Sequence, residues 1–103
     1  MDSVDIDELL KTAHQITHGE RGVAYGPPHE DYSRVAAIYR AVSNDGQITN
    51  SADAALFMVC MKLARIGYNV KHYKLHVDSV RDAMGYLWVY AQCANDLEHD
   101  ITE

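Results

Sequence analysis

Apolar residues recur every three or four positions in four separate segments of the chain, which is the spacing of one face of an α-helix. The first segment opens with a capping-box pattern, because Asp5 stands three residues before Glu8. Pro28 suits the first position of the second helix. Four helices are therefore predicted, at about residues 5–18, 28–42, 52–68 and 76–98. Because no strand-like alternation occurs, the pattern predicts an all-α fold.

The predicted third helix is apolar around its whole circumference between Ala54 and Met61. A helix of this kind is expected to be buried on every side. Since four helices of one small domain rarely enclose a helix completely, we interpret the excess apolar face as a contact between subunits. The short loop after this helix makes the third and fourth helices antiparallel neighbours. We expect a single helical domain, residues 1–103, that forms an antiparallel four-helix bundle and assembles into a homo-oligomer.

Charge, hydropathy and cysteine spacing limit the binding partners and the cellular location that the sequence predicts. A net charge of −6 argues against extended nucleic-acid binding, which depends on many lysines and arginines that neutralise phosphates. The long apolar run of the third helix has eight residues, whereas roughly 20 are needed to span a bilayer, so no membrane contact is expected. The chain opens without a signal segment, and Cys60 and Cys93 lack zinc-site spacing. These features predict a cytoplasmic protein with two buried, reduced cysteines.

Asp78 and Asp82 share one face of the predicted fourth helix, because they lie four residues apart. Like charges at this spacing repel, so a cation is expected close to the pair. One interpretation is a salt-bridge cluster with Lys62 and Arg65, which counting outward from the loop places level with residues 77–80. The other is Mg²⁺, which takes carboxylate oxygens and keeps waters for a substrate phosphate. The residues leave both interpretations open.

Asp53 is a further candidate metal ligand, but it falls near the level of Val89 and reaches the pair only across a subunit boundary. The alternative is an ordinary first-turn acid, favoured there by the helix dipole. His76 is a candidate general base through its proximity to the acidic pair alone.

Six short motifs occur together in a pattern that resembles a known family. They are Arg21-Gly22, Tyr25-Gly26-Pro27, Ala52-Asp53-Ala54-Ala55, Lys62-Leu63-Ala64-Arg65, His76-Val77-Asp78-Ser79 and Asp82-Ala83-Met84-Gly85-Tyr86. Over about residues 18–92 the chain resembles small phage-encoded proteins, which in turn are similar to the all-α MazG-like nucleotide pyrophosphohydrolases. Asp82 matches the final aspartate of the second acidic motif of those enzymes, and Asp78 is offset by one position from its glutamate. Their first motif, a run of glutamates, is missing, and Asp53 is the only acid of the third helix.

The resemblance implies a Mg²⁺-dependent enzyme that cuts nucleoside triphosphates to monophosphates. It implies that Asp78 and Asp82, with Asp53 as a further candidate, hold the metal, and that Asp78, Asp82 and Lys62 are catalytic. A nucleotide is expected to stack its base on Tyr25 and to pair its phosphates with basic residues. The candidate ligand-binding residues are Arg21, Tyr25, Lys62, Arg65 and His76.

Two other functions fit the residues. A non-catalytic phage protein that sequesters a nucleotide immune signal, and so counters host defence, explains the missing glutamate motif better than an enzyme does. A purely structural oligomer treats Tyr25, Tyr32 and Tyr39 as core or interface aromatics, which is the commoner fate of such residues. A phage-encoded protein of either kind is expected in the host cell cytoplasm.

Overall fold

The computed structural model describes residues 5–18, 26–71 and 74–102. Within these ranges the chain forms four helices and no strand, as predicted. They are α1 (Ile6–His18), α2 (Pro28–Val42), α3 (Ser51–Val70) and α4 (Val77–Thr102). The bounds of α1 and α2 match the prediction closely. Helix α4 continues four residues beyond its predicted end.

Local capping sets the start of α3. The Asn50 side chain accepts a hydrogen bond from the Asp53 backbone N–H at 2.9 Å. The Asp53 carboxylate in turn accepts hydrogen bonds from the backbone N–H and the hydroxyl of Thr49, at 3.1 and 3.0 Å. The first bond satisfies a donor that the first turn of a helix leaves without a partner, and the other two hold the residue before the cap in place.

Helix α3 lies at the centre of the described fold and packs against both α2 and α4. The buried core joins Val35 and Tyr39 of α2 to Cys60 and Ala64 of α3. Partly buried apolar residues surround this core, namely Ile38, Leu56, Phe57 and Met61. Cys60 is buried and forms no disulfide, so its predicted burial is confirmed, and this burial raises the pKa of its thiol. Cys93 is also free, but it is only half-buried.

Both helix pairs are antiparallel. In the pair α3 and α4, the Asn69 carbonyl accepts a hydrogen bond from the Lys74 N–H near the loop, while Lys62 meets Asp82 further along both helices. Residues of α3 and α4 that contact each other are thus at similar distances from the loop, which shows that the two helices are antiparallel. The short loop between them had predicted this arrangement. In the pair α2 and α3, Tyr39 near the end of α2 packs edge-on against Phe57 in the first half of α3, with ring centroids 5.7 Å apart. A contact between the end of one helix and the first half of the other shows that the two run in opposite directions.

Helix α1 does not take part in these two packed pairs, and its apolar residues Ile6, Leu9 and Leu10 are exposed. The described ranges therefore contain an α2–α3–α4 layer, and the antiparallel four-helix bundle stays a prediction. A MazG-like arrangement, a single domain over residues 1–103 and a homo-oligomer also stay predictions. Within the described ranges, no helix combines the length and hydropathy that crossing a lipid bilayer requires.

The described part of a single chain does not enclose α3 on every side, and its complete burial, which we expected a neighbouring subunit to provide, stays a prediction. Ala54 is exposed and Leu63 is 40% exposed, because α2 and α4 flank α3 without closing around it. Large apolar side chains are more exposed on α4, where Met84, Leu87 and Trp88 are 68%, 49% and 66% exposed. Since these residues stand three and four positions apart, they form one apolar face, which we call the α4 apolar face.

Candidate functional site

Three polar residues follow one face of α3 and form what we call the polar stripe, Lys62, Arg65 and Asn69. Their spacing of three and four residues places them beside one another on the helix. The Lys62 and Arg65 side chains are only 13% and 11% exposed. Asn69 is buried and donates from Nδ2 to the Arg65 carbonyl at 2.9 Å. Because charged side chains are rarely buried without partners, the surroundings of the polar stripe decide its role.

Lys62 is directed at α4. Its Nζ lies 3.1 Å from Oδ2 of Asp82, whose side chain is 46% exposed. Counting outward from the loop had placed these two residues side by side, and the structure brings them together. This ion pair joins α3 to α4 at the edge of the packed layer, so it offsets the charge of a largely buried ammonium group.

Asp78 finds a different cation from the two that were expected. Its Oδ1 lies 3.5 Å from Nη2 of Arg81, three residues on, and both side chains are more than 70% exposed. The i,i+3 spacing of Asp78 and Arg81 is itself a sequence signal for such a pair, and the prediction overlooked it. Asp78 and Asp82 thus each have a basic neighbour. The salt-bridge interpretation accounts for both carboxylates, and Mg²⁺ at the pair stays a prediction.

Arg65 is directed at α2 instead of at the acidic pair. Its Nε lies 4.0 Å from Oδ2 of Asp31, a residue that is only 4% exposed. Sequence reasoning missed Asp31, because an acid in the first turn of a helix is usually a solvated residue favoured by the helix dipole. What distinguishes Asp31 from an ordinary first-turn acid is its packing in the tertiary structure. The N-terminal turn of α2 is covered by the second half of α3, so this particular acid is buried.

Tyr68 connects the start of α2 to the end of α3. The guanidinium carbon of Arg34 lies 5.7 Å from the centroid of its ring, within the range of a cation–π contact. Gly26 packs against the same ring with a φ of 84°, a backbone conformation that favours glycine. A Cβ atom at this position would lie 3.1 Å from Cε2 of Tyr68. The glycine therefore permits the close approach that brings the chain to Tyr68 before α2 begins.

Two buried polar atoms of α2, Oδ1 of Asp31 and Nη1 of Arg34, have no hydrogen-bond partner among the residues that the structure describes. Burial raises the pKa of the Asp31 carboxyl, although Arg65 and Arg34 act in the opposite direction. Buried polar groups in native proteins are nearly always paired. A buried acceptor and a buried donor that both lack a hydrogen-bond partner and lie one helical turn apart are therefore a candidate ligand site. We call Asp31, Arg34 and Arg65 the buried charge cluster.

His76 is the residue that precedes α4 and contacts its first turn. Its Nδ1 accepts a hydrogen bond from the Ser79 backbone N–H at 3.3 Å and lies 2.5 Å from the Ser79 hydroxyl. With Nδ1 as the acceptor of both contacts, the neutral ring carries its proton on Nε2. The structure thus gives His76 a capping contact, while its predicted part in ligand binding stays a prediction.

Asp53 lies at the far end of α3 from the polar stripe, and its carboxylate is engaged in the cap described above. The structure agrees with the alternative interpretation of a first-turn acid. Within the described ranges, no group of three histidine, cysteine or acidic residues is placed to hold a metal ion. The structure accordingly does not bring Asp53 to Asp78 and Asp82. The predicted ligand-binding residues Arg21 and Tyr25 lie outside the described residues.

A shallow depression of about 430 Å³ lies beside Asp82 on α4. It is lined by Arg81, Asp82, Gly85, Tyr86 and Val89. Gly85 has open space where a Cβ atom would be, so it leaves the floor of the depression free. The depression therefore combines an aromatic ring, a cation and a carboxylate at a site that opens to solvent.

These features define a class, a small helical protein in which a central helix carries largely buried cations that meet acids of both neighbouring helices. The chain belongs to the family described as Domain of unknown function (DUF6378), whose model matches residues 8–94. It is also similar to the Gene 55 protein of Mycobacterium phage L5, with 33% identity over 81 residues, and to that of Mycobacterium phage D29, with 32% identity over 80 residues.

The two matches cover 79% and 78% of this chain but 49% of each phage protein, so the chain spans about half the length of these curated relatives. No solved structure matches the chain. The predicted resemblance to small phage proteins is thus confirmed at the level of a family with phage relatives. The likeness to MazG-like enzymes stays a prediction.

Proposed function

We propose that the protein binds a nucleotide through the polar stripe and the charged residues that flank it. A local excess of positive charge is the observation that carries this proposal. Lys62, Arg65 and Arg34 outnumber the two carboxylates beside them, Asp31 and Asp82, in a chain whose net charge is −6. A partly buried surplus of cations favours an anionic ligand. Phosphates suit it well, because guanidinium groups hold them through paired hydrogen bonds.

The depression beside Asp82 is the proposed binding position of the nucleobase. Tyr86 lines it, and aromatic rings stack on nucleobases of every kind. Lys62 contacts Asp82 at the same place, so phosphates drawn to Lys62 lie within reach of a base on Tyr86. Arg21 and Tyr25 remain proposed contributors to the same ligand.

One form of this function is a MazG-like, Mg²⁺-dependent nucleoside triphosphate pyrophosphohydrolase. Asp78 and Asp82 would hold the metal, and two partly exposed carboxylates on one helix face fit Mg²⁺, which commonly takes one or two protein carboxylates together with substrate phosphates. The metal would supply electrostatic stabilisation of phosphate charge. In this form Lys62 exchanges its contact with Asp82 for a phosphate oxygen of the leaving group, and Arg81 releases Asp78.

The alternative form is a non-catalytic phage protein that sequesters a nucleotide immune signal. A specific observation favours it, since Asp78 and Asp82 are each already paired with a cation and need no metal to offset their mutual repulsion. In this form the ligand is held by the same basic residues and is returned intact. Both forms place the protein in the host cell cytoplasm.

Thermal unfolding with a nucleotide panel, with and without Mg²⁺, tests the proposal when the recovered nucleotide is then analysed by chromatography. Monophosphate and pyrophosphate are expected from the hydrolase, and intact nucleotide from the sequestering protein. The variant Lys62→Met should lose the nucleotide-dependent rise in melting temperature. Lys74→Met is the matched control, because Lys74 is exposed and lies outside the site. A panel in which no nucleotide raises the melting temperature contradicts both forms.

We also propose that the protein is a homo-oligomer. The α4 apolar face supports this proposal, because exposed clusters of large apolar side chains on a small domain commonly mark an interface. Its position differs from the original expectation, which placed the interface on α3.

A further inference from the structure

Asp31 and Arg34 stand one helical turn apart on α2, and both are directed toward α3. Oδ2 of Asp31 lies 4.0 Å from Nε of Arg65, and the Arg34 guanidinium lies over the Tyr68 ring. Both arginines are close enough to the Asp31 carboxyl to act on its charge. The buried charge cluster therefore has two guanidinium groups around one carboxylate, with a formal charge of +1.

One carboxylate oxygen of Asp31 and one guanidinium nitrogen of Arg34 are complementary as acceptor and donor, but they do not bond to each other. Within the described part of the chain, Oδ1 of Asp31 is a buried acceptor without a hydrogen-bond partner, and Nη1 of Arg34 is a buried donor without one. Residues three apart on a helix are neighbours, and opposite charges attract, so a direct bond would be expected if nothing else were to bind there. A chemical group that donates one hydrogen bond and accepts another satisfies both atoms at once.

A monoprotonated phosphate is such a group. Its O–H donates to a carboxylate, its other oxygens accept from guanidinium groups, and its negative charge offsets a surplus cation. Sulfate has a similar size and the same tetrahedral shape, but at neutral pH it has no proton to donate. A sulfate oxygen facing Asp31 would meet a second acceptor, and two acceptors without a shared proton repel each other.

We infer that Asp31 and Arg34, together with Arg65, form a binding site for a phosphate monoester or inorganic phosphate that discriminates against sulfate through the Asp31 carboxylate. This inference deepens the proposed function, because it names the group of the ligand that enters between α2 and α3. Arg34 and Arg65 supply the attraction, and Asp31 supplies the selectivity. The phosphate comes either from the free ion or from the end of a nucleotide.

Isothermal titration at neutral pH with inorganic phosphate and with sulfate, at low millimolar concentration and constant ionic strength, tests the selectivity. Low concentrations are needed because both ions at high concentration stabilise folded proteins through exclusion from the surface. The wild type is expected to bind phosphate at least tenfold more tightly than sulfate. Equal affinities, or no binding of phosphate, would overturn the inference.

The variant Asp31→Asn identifies the source of the selectivity. An asparagine amide can donate to sulfate, so this variant should bind both ions with affinities within about threefold of each other. The comparison is made between two ions on the same variant, and it therefore does not depend on any loss of stability. Arg40→Lys is the matched control on α2, because Arg40 is exposed and should leave the selectivity of the wild type unchanged. A strong preference for phosphate in Asp31→Asn contradicts the inference.

Competition between phosphate and nucleotides separates this inference from the proposed function. If the wild type binds phosphate selectively and no nucleotide of the panel competes for it, the inference stands and nucleotide binding fails. If a nucleotide binds equally well to the wild type and to Asp31→Asn, and neither protein distinguishes phosphate from sulfate, nucleotide binding stands and the inference fails. A nucleoside monophosphate that displaces phosphate in the wild type supports both and identifies a nucleotide as the source of the phosphate group.

Discussion

Replacing Asp82 with asparagine should destabilise the protein in the absence of metal, because it removes the partner of a largely buried cation. The Lys62 ammonium is 3.1 Å from Asp82, and the Lys62 side chain is 13% exposed while that of Asp82 is 46% exposed. Breaking a fully buried pair costs about 3–5 kcal/mol, whereas exposed pairs contribute about 0.2–1 kcal/mol. Between these limits, we expect Asp82→Asn to lower the free energy of unfolding by about 1–2 kcal/mol.

For a domain of this size, each kcal/mol changes the melting temperature by about 4–8 °C, so the expected decrease is about 5–15 °C. The assay is thermal unfolding with EDTA and again with excess Mg²⁺. Asp78→Asn is the control, because its ion pair with Arg81 is exposed and its loss should change the free energy of unfolding by less than about 0.5 kcal/mol. A cycle with Lys62→Met isolates the contribution of the pair itself.

The opposite sign would refute this reasoning. If Mg²⁺ occupies the two carboxylates, the metal-free protein carries like charges that repel, and Asp82→Asn should leave stability in EDTA unchanged or slightly raised. The same substitution should then remove a Mg²⁺-dependent rise in melting temperature that the wild type shows. A destabilised variant together with a wild type indifferent to Mg²⁺ would instead exclude the metal site, and with it the pyrophosphohydrolase form of the proposed function.

Four further outcomes follow from the structure. Because burial raises the pKa of Cys60, its thiol should react with iodoacetamide at neutral pH much more slowly than that of Cys93, and mass spectrometry of a time course checks this order. Gly26→Ala should cost about 1–3 kcal/mol of stability in urea unfolding, because a side chain there is both strained and crowded; a loss below about 0.5 kcal/mol contradicts the described turn. Since the pKa of Asp31 is raised in the folded state, the folded chain binds that proton more tightly than the unfolded chain does. The Asp31 contribution to stability should therefore grow as the pH falls from above the raised pKa toward 3.8, and Asp31→Asn should lack this increase in pH-dependent unfolding. Trp88→Glu should convert the proposed oligomer into a monomer of 11.6 kDa in sedimentation at micromolar concentration, and a wild type that already sediments as that monomer rules the oligomer out.

Local signals in the sequence were sufficient for the helices and for one contact between them. Capping residues, a proline at the start of α2 and apolar periodicity act within a few residues, so they predicted four helices and their approximate bounds. The short loop after α3 makes it antiparallel to α4, and simple counting from that loop placed Lys62 beside Asp82. These features depend on distance along the chain, which the sequence contains directly.

Tertiary structure decided which helix each polar or apolar face meets. Lys62 and Arg65 are three residues apart, yet one contacts α4 and the other contacts Asp31 on α2, because α3 lies between the two helices and presents a slightly different direction to each. Periodicity assigns residues to a face of a helix but does not say what covers that face. For the same reason the sequence predicted a subunit contact on α3, but it did not show that the packing of the helices leaves Met84 and Trp88 of α4 exposed.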